Sequence, residues 1–313
     1  METPKRTNAI ISTTTSFSSN SQISKPNCIS SPLPPSVTRL WRPAAQRNLR
    51  NQWAKLASYR PQWESSSSTG RTCATSLVNA YLSQKYLPSM ELGVLNDMPD
   101  IRKKACSKLF KQQELHGSKL LLSYKDMVTV VTHMVNTSRS MRCYVKGTTS
   151  SPIMQFSSIS EDSNDSGDGS GIPVFTFWPV SSFEQLAEEL VQMFISELNL
   201  KRLLVLELLT ISTEVSQVNE LGWSTELYPG EFDDLSICNL YSKEACKPVP
   251  PTLMEGNSDM PTLQLKSQPD HEILQLFALQ VYLTTWLAEA NIDIHRVNEI
   301  FAIIGEEIHV SLS

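Results

Sequence analysis

Residues 181–212 read SSFEQLAEELVQMFISELNLKRLLVLELLTIS, and this stretch decides the fold class. Ser181-Ser182-Phe183-Glu184 has the spacing of a capping box, in which a hydroxyl and a carboxylate three residues on satisfy the orphan amides of a helix start. Phe183, Leu186, Leu190, Met193, Phe194 and Leu198 then recur at helical spacing, which predicts an amphipathic helix from Ser182 to Ser212. Beyond Arg202 the apolar residues Leu203, Leu204, Val205, Leu206, Leu208 and Leu209 surround the axis. A helix apolar on every side needs neighbours on every side, so this half is expected at the centre of the molecule. Lys201 and Arg202 sit amid Glu188, Glu189, Glu197 and Glu207 and are expected to pair locally.

The same periodicity recurs outward from this core. Leu120, Tyr124, Met127, Val131, Met134, Ser138, Met141 and Val145 follow at spacings of 4, 3, 4, 3, 4, 3 and 4, a heptad seam of the coiled-coil kind. Its mixture of β-branched, Met and Tyr side chains favours an intramolecular bundle over an oligomer. Ahead of it, Asp97 and Pro99 are expected to open a basic helix, and a further helix spans about Thr72 to Leu87. A helix from Trp41 is expected to stop at Pro61, with Ala45, Leu49, Trp53 and Leu56 on one face. Downstream, Ile172 to Trp178 reads as a short strand or a buried extended segment. Thr213 to Pro269 is punctuated by proline and reads as loop, with a short helix near Asp233 to Tyr241. Asp270 and Asp293 cap two closing amphipathic helices, the second ending at Gly305, with an edge strand or a mobile tail after it. The fold class is mostly α: an irregular helical bundle with a disordered N-terminal tail and an acidic internal linker.

Charge divides the chain. Residues 1–150 hold 21 Lys/Arg against 7 Asp/Glu, and residues 151–313 hold 6 against 25, so the net −5 conceals two polarised halves. Such polarity implies either that the halves pack together or that the basic half meets an external polyanion. Four regions follow: a Ser/Thr/Pro-rich tail (1–38), a basic helical region (39–146), a flexible acidic linker (147–171), and an acidic helical region packing with the first (172–313). The tail carries 15 Ser or Thr and too little apolar surface to fold alone.

The cations expected to touch nucleic acid or an acidic partner are Arg39, Arg42, Arg47, Arg50, Lys55 and Arg60, with Trp41, Tyr59 and Trp63 interleaved as rings for bases to stack on. Arg102, Lys103 and Lys104 form a second cluster, of the kind that serves nuclear import or phosphate contact. Two phosphorylation sites are expected. Thr3 precedes Pro4-Lys5-Arg6 in a proline-directed pattern, and Ser158 has Glu161 at the acidophilic spacing.

Signatures of chemistry were sought by spacing. Cys238 and Cys246 are separated by seven residues without a second pair or a His couple, which fails the zinc spacings. Gly167 and Gly169 lie beside Asp165 and Asp168, which would repel a phosphate. No Gly-x-Ser-x-Gly, His-Glu-x-x-His or Walker loop is present. The reading is therefore a protein that is not an enzyme, with no catalytic residue, metal, cofactor or small-molecule substrate. Scattered cysteines indicate reduced thiols, and no apolar run reaches the ~20 residues a bilayer requires.

Trp41-Arg42-Pro43-Ala44-Ala45-Gln46-Arg47-Asn48-Leu49-Arg50 and Phe183-Glu184-Gln185-Leu186-Ala187-Glu188-Glu189-Leu190 resemble stretches of uncharacterised plant proteins predicted to be helical. The resemblance brings no activity with it. Expected function is that of a non-enzymatic helical adaptor or scaffold, nuclear, with protein partners, a basic segment for nucleic acid or an acidic partner, and no membrane. The alternative is a helical assembly factor of a plastid or mitochondrion whose leader is cleaved.

Overall fold

A 52-residue helix, α1 (Pro35–Tyr86), opens the computed structural model, which describes residues 35–146, 153–156, 167–211, 221–252 and 271–312. Trp41, Ala45, Leu49, Trp53, Leu56 and Trp63 are all buried along one side of α1, whereas Pro43 and Pro61 lie on its exposed side. Each proline removes one helical hydrogen bond at a cost of about 3 kcal/mol. On the outer face the freed carbonyl can be hydrated while the buried side holds the axis together. The break expected at Pro61 is therefore absent, and the helix expected over Thr72 to Leu87 is the far end of α1.

Helix α2 (Ile101–Ser138) folds back antiparallel along α1. Gln113 against Gln84, Ser123 against the Ser66 carbonyl, and Asn48 against the Ser140 and Met141 carbonyls set the register. The N-cap of α2 is Asp100, in the left-handed region at φ 63°, and not Asp97. Leu120, Tyr124, Met127, Val131 and Met134 are buried as the heptad seam requires. The seam does not extend to Val145, because the helix stops at Ser138 and the chain enters strand β1 (Cys143–Lys146), paired antiparallel with β2 (Ile153–Phe156). Part of the stretch expected as linker is thus a hairpin. Gly169, also in that stretch, has φ 69°, and a Cβ there would lie 2.3 Å from the Trp41 ring. The glycine is needed for packing.

Segment 174–178 is held by side chains instead of a sheet. Its carbonyls accept from Arg42 and Gln46, and Glu307 accepts the amides of Thr176, Phe177 and Trp178 at 2.8–3.1 Å. Helix α3 (Val180–Thr210) follows, entered through Pro179 with no side-chain cap, so the capping box at Ser181 does not form. Phe183, Leu190, Leu198, Val205 and Leu208 are fully buried, and the helix is central as its sequence requires. Around it lie α4 (Glu231–Ile237), a two-residue ladder of β3 (Tyr241–Ser242) with β4 (Lys247–Pro248), α5 (His271–Ala288) and α6 (Ile294–Ile308). Asp293 caps α6 by accepting from the amides of His295 and Arg296. Gly305 does not end α6; it lies inside the helix, against the Val310 carbonyl, and no strand follows.

Trp286 of α5 reaches α1 through Gly70, where a Cβ would stand 2.5 Å from the ring. Its indole donates to the Ser67 carbonyl at 3.0 Å. Trp53 and Trp63 bury their indole N–H groups without an acceptor among the described residues, at about 1–3 kcal/mol each. Edge contacts with Phe301 at 6.1 Å and Phe194 at 5.4 Å offset part of that cost. The described residues belong to one contact unit, Pro32–Ser313. Thr3, Ser158 and Asp270, like most of the tail and linker, lie outside them.

Candidate interaction surface

The nine cations singled out in the sequence fall into two groups that the fold keeps apart. Arg39, Arg42, Arg47, Arg50, Lys55 and Arg60 belong to the first half of α1, whereas Arg102, Lys103 and Lys104 open α2 at the far end of α1. The helix between Arg60, the last of the first group, and Tyr86 is about 39 Å long at ~1.5 Å per residue.

Four of the nine are already engaged. Arg42 donates to the carbonyls of Val174 at 2.9 Å and Phe175 at 2.5 Å. Arg50 donates to the Ile308 carbonyl at 3.2 Å and lies 4.9 Å over the Phe175 ring. Arg60 reaches Glu64 at 3.1 Å and Asn298 at 2.7 Å. Arg102 gathers the carbonyls of Leu87, Pro88 and Met90, and so closes the turn between α1 and α2. A guanidinium that fastens main chain in this way serves the fold first. Arg39, Arg47, Lys55, Lys103 and Lys104 are exposed and form no ion pair among the described residues. The two tryptophan rings are not available. Trp41 and Trp63 are each 1% exposed, and Tyr59 lies 5.7 Å from the His133 ring. Base stacking on the two tryptophans, expected from the sequence, is corrected by their burial.

At the end of the α1/α2 hairpin, sequence reasoning singled out Arg102, Lys103 and Lys104 and missed the exposed apolar residues beside them. From residue 82 to residue 112 no residue is buried. Val94 is 91% exposed, and Met90, Leu95 and Met98 are exposed around it on the 3₁₀ turn Gly93–Leu95 and its flanks. Lys103, Lys104, Lys108 and Lys111 are exposed on the adjoining start of α2. The available signal was four apolar residues in a segment marked as a turn by Gly93 and Asn96, ahead of a basic helix.

Two neighbouring residues of α3 hold the opposite character, charge without water. Lys201 lies 3.1 Å from Glu197, donates to the Trp286 carbonyl at the end of α5, and sits 4.8 Å from the Trp286 ring. Glu197 also accepts from the Asn291 amide at 3.0 Å, so the pair fastens the turn between α5 and α6. Burial holds the Glu197 carboxyl above its ordinary range and the Lys201 ammonium below its own. Arg202 points elsewhere. It meets Glu231 at 2.8 Å and the carbonyls of Trp223 and Thr225 at 2.9 and 2.7 Å. Glu231 additionally accepts from the Tyr124 hydroxyl at 2.8 Å and the Leu227 amide at 2.7 Å. Lys201 pairs locally as expected; the partner of Arg202 lies 29 residues on, beyond any local pattern.

An open cleft of about 380 Å³ between α2 and α3 is lined by Arg139, Arg142, Tyr144, Glu184, Glu188 and Asn239. Arg142 grips Glu184 bidentately at 2.8 and 3.0 Å, which raises the guanidinium pKa further. Burial pushes the Cys238 thiol up to about 11, the reverse of what a nucleophile needs. Among the described residues no three His, Cys, Asp or Glu side chains converge as metal ligands would, and no helix is long and apolar enough to cross a membrane. No protein-family model matches the chain, and no curated protein compared with it is similar.

Proposed function

We propose that the protein is a non-enzymatic helical adaptor of the nucleus, whose basic hairpin holds an acidic protein and whose acidic part docks further proteins. The observation that carries this reading is how the charges are paired. Arg142 with Glu184 joins a cation of residues 1–150 to a carboxylate of residues 151–313. The other pairs stay within their own half: Arg60 with Glu64, Lys201 with Glu197, Arg202 with Glu231, and Arg296 with Glu189 and Glu299. Of the nine cations, Arg39, Arg47, Lys55, Lys103 and Lys104 are exposed and form no ion pair with a carboxylate among the described residues. Such a surface attracts an anionic partner and speeds its encounter. Burial of Trp41 and Trp63 favours acidic protein over single-stranded nucleic acid, which binds through stacked rings. The buried ionisable groups are spent on neighbouring main chain and side chains, which supports a binding role over turnover.

The test is titration of the full chain with fluorescent polyglutamate, duplex DNA and single-stranded RNA over a salt series. Polyglutamate is expected to bind at about 50 mM salt and to weaken steeply by about 200 mM, with the nucleic acids weaker throughout. Absence of binding to every polyanion at low salt would overturn the reading. A fluorescent fusion of the full chain is expected in the nucleus.

A further inference from the structure

Along most of its length the α1/α2 hairpin presents a two-helix groove that a third helix, α3, covers. A Cβ at Gly117 of α2 would still meet Leu209 near the end of α3, and Trp286 of α5 closes the Gly70 notch of α1. Past these points no third element among the described residues covers the two helices. Leu82 of α1 and Ala105, Leu109 and Phe110 of α2 are left half-exposed, where their equivalents nearer the base, such as Leu77, Leu120 and Tyr124, are fully buried. The turn at the end is nevertheless held in place, since Arg102 ties three carbonyls of residues 87–90.

We infer that the tip of the hairpin, residues 82–112, is the docking surface of the adaptor, and that its occupant is an acidic amphipathic helix of another protein. The inference rests on the adaptor reading above and names its partner. Two features select this occupant. An uncovered pair of antiparallel helices has ridges and grooves that accept a third helix, anchored by apolar side chains at i, i+3, i+4 and i+7. The rim of the groove is cationic. Residues 101–112 carry the exposed Lys103, Lys104, Lys108 and Lys111 beside the engaged Arg102, and no carboxylate. The tip's carboxylates, Glu91, Asp97 and Asp100, all lie in the turn ahead of α2. A partner helix with acidic flanks is therefore drawn to the α2 side, with Met90, Val94, Leu95 and Met98 available to its apolar face. Nucleic acid fits less well, because the cations adjoin aliphatic side chains and Tyr86 is the one exposed ring among residues 82–112, too few for successive bases to stack on.

The test places p-benzoylphenylalanine in the full chain at the position of Val94, and separately at Lys55, and irradiates cells of the source organism. Val94 is 91% exposed, so its replacement leaves the fold intact. The expected result is a crosslink from position 94 to a segment of another protein that is rich in Asp and Glu and has helical apolar spacing. The triple charge reversal Lys103→Glu, Lys104→Glu, Lys108→Glu is expected to lower its yield by about tenfold. A crosslink from position 94 to RNA, to DNA, to a second copy, to another segment of this chain or to a protein segment without acidic excess overturns the inference. So does indifference to the charge reversal. Capture of protein at position 55 alone overturns the tip assignment and leaves the adaptor reading standing, whereas capture of no protein at either position overturns both.

Discussion

The two ends of the α1/α2 hairpin are made of similar helix and behave as different materials. At the base, Leu49, Leu56, Leu77, Leu120, Tyr124 and Met127 are all fully buried, and the hairpin is one wall of a core closed by α3. At the tip no residue between 82 and 112 is buried, and the same antiparallel pairing is held by local contacts and the Arg102 clasp. Helical structure therefore does not report where the stability lies. Burial against a third element does, since opening free energy follows buried apolar contact and water-free polar pairing.

The contrast is broken most severely at the buried charges. Arg202→Met leaves Glu231 in the core without its cation and is expected to cost about 3–5 kcal/mol, read as a lower urea midpoint with an unchanged slope. Gly70→Ala pushes a methyl to 2.5 Å from Trp286 and separates α5 from the hairpin. It is expected to cost about 1–3 kcal/mol in the same measurement. The double change Val94→Ser, Leu95→Ser at the tip is expected to move stability by less than about 0.5 kcal/mol, because those side chains touch little in the free protein. Hydrogen exchange sharpens the same point: amides of residues 120–135 are expected to exchange only through global opening, and those of residues 88–98 rapidly. The smallest effect is electrostatic. Arg296 holds the Glu189 carboxyl below its ordinary range at an exposed position. The pair's stabilisation is complete above the unfolded pKa of 4.5 and is lost as pH falls through the lowered folded value. Arg296→Gln is expected to return the Glu189 titration, followed by carboxyl NMR shifts, to the ordinary range.

Periodicity was enough to locate most of the core. The faces of Ala45, Leu49, Trp53 and Leu56, of Leu120 through Met134, and of Phe183 through Leu208 were readable because burial on one side leaves a 3.6-residue rhythm. The Asp293 cap was readable because it acts within three residues. What was not readable depends on distant partners. Pro61 breaks a helix by local rules and fails to do so here because Trp53, Leu56 and Trp63 pack on both sides of it. Arg42 and Arg50 look like free cations in sequence, yet they meet carbonyls more than a hundred residues away. The tip was hidden for the opposite reason: its Met, Val and Leu residues resemble core, and only their lack of a neighbour sets them apart.

Lys201 and Arg202 are consecutive, and their side chains leave α3 in different directions, one to the α5/α6 turn and one to the start of α4. Both edges of the molecule are consequently timed to a single turn of one helix. Inserting or deleting one residue upstream within α3 would rotate the two cations together by about 100° and release both edges at once. Length variation should therefore be tolerated better around Gly93, where the fastening is the local Arg102 clasp, than between Val180 and Arg202.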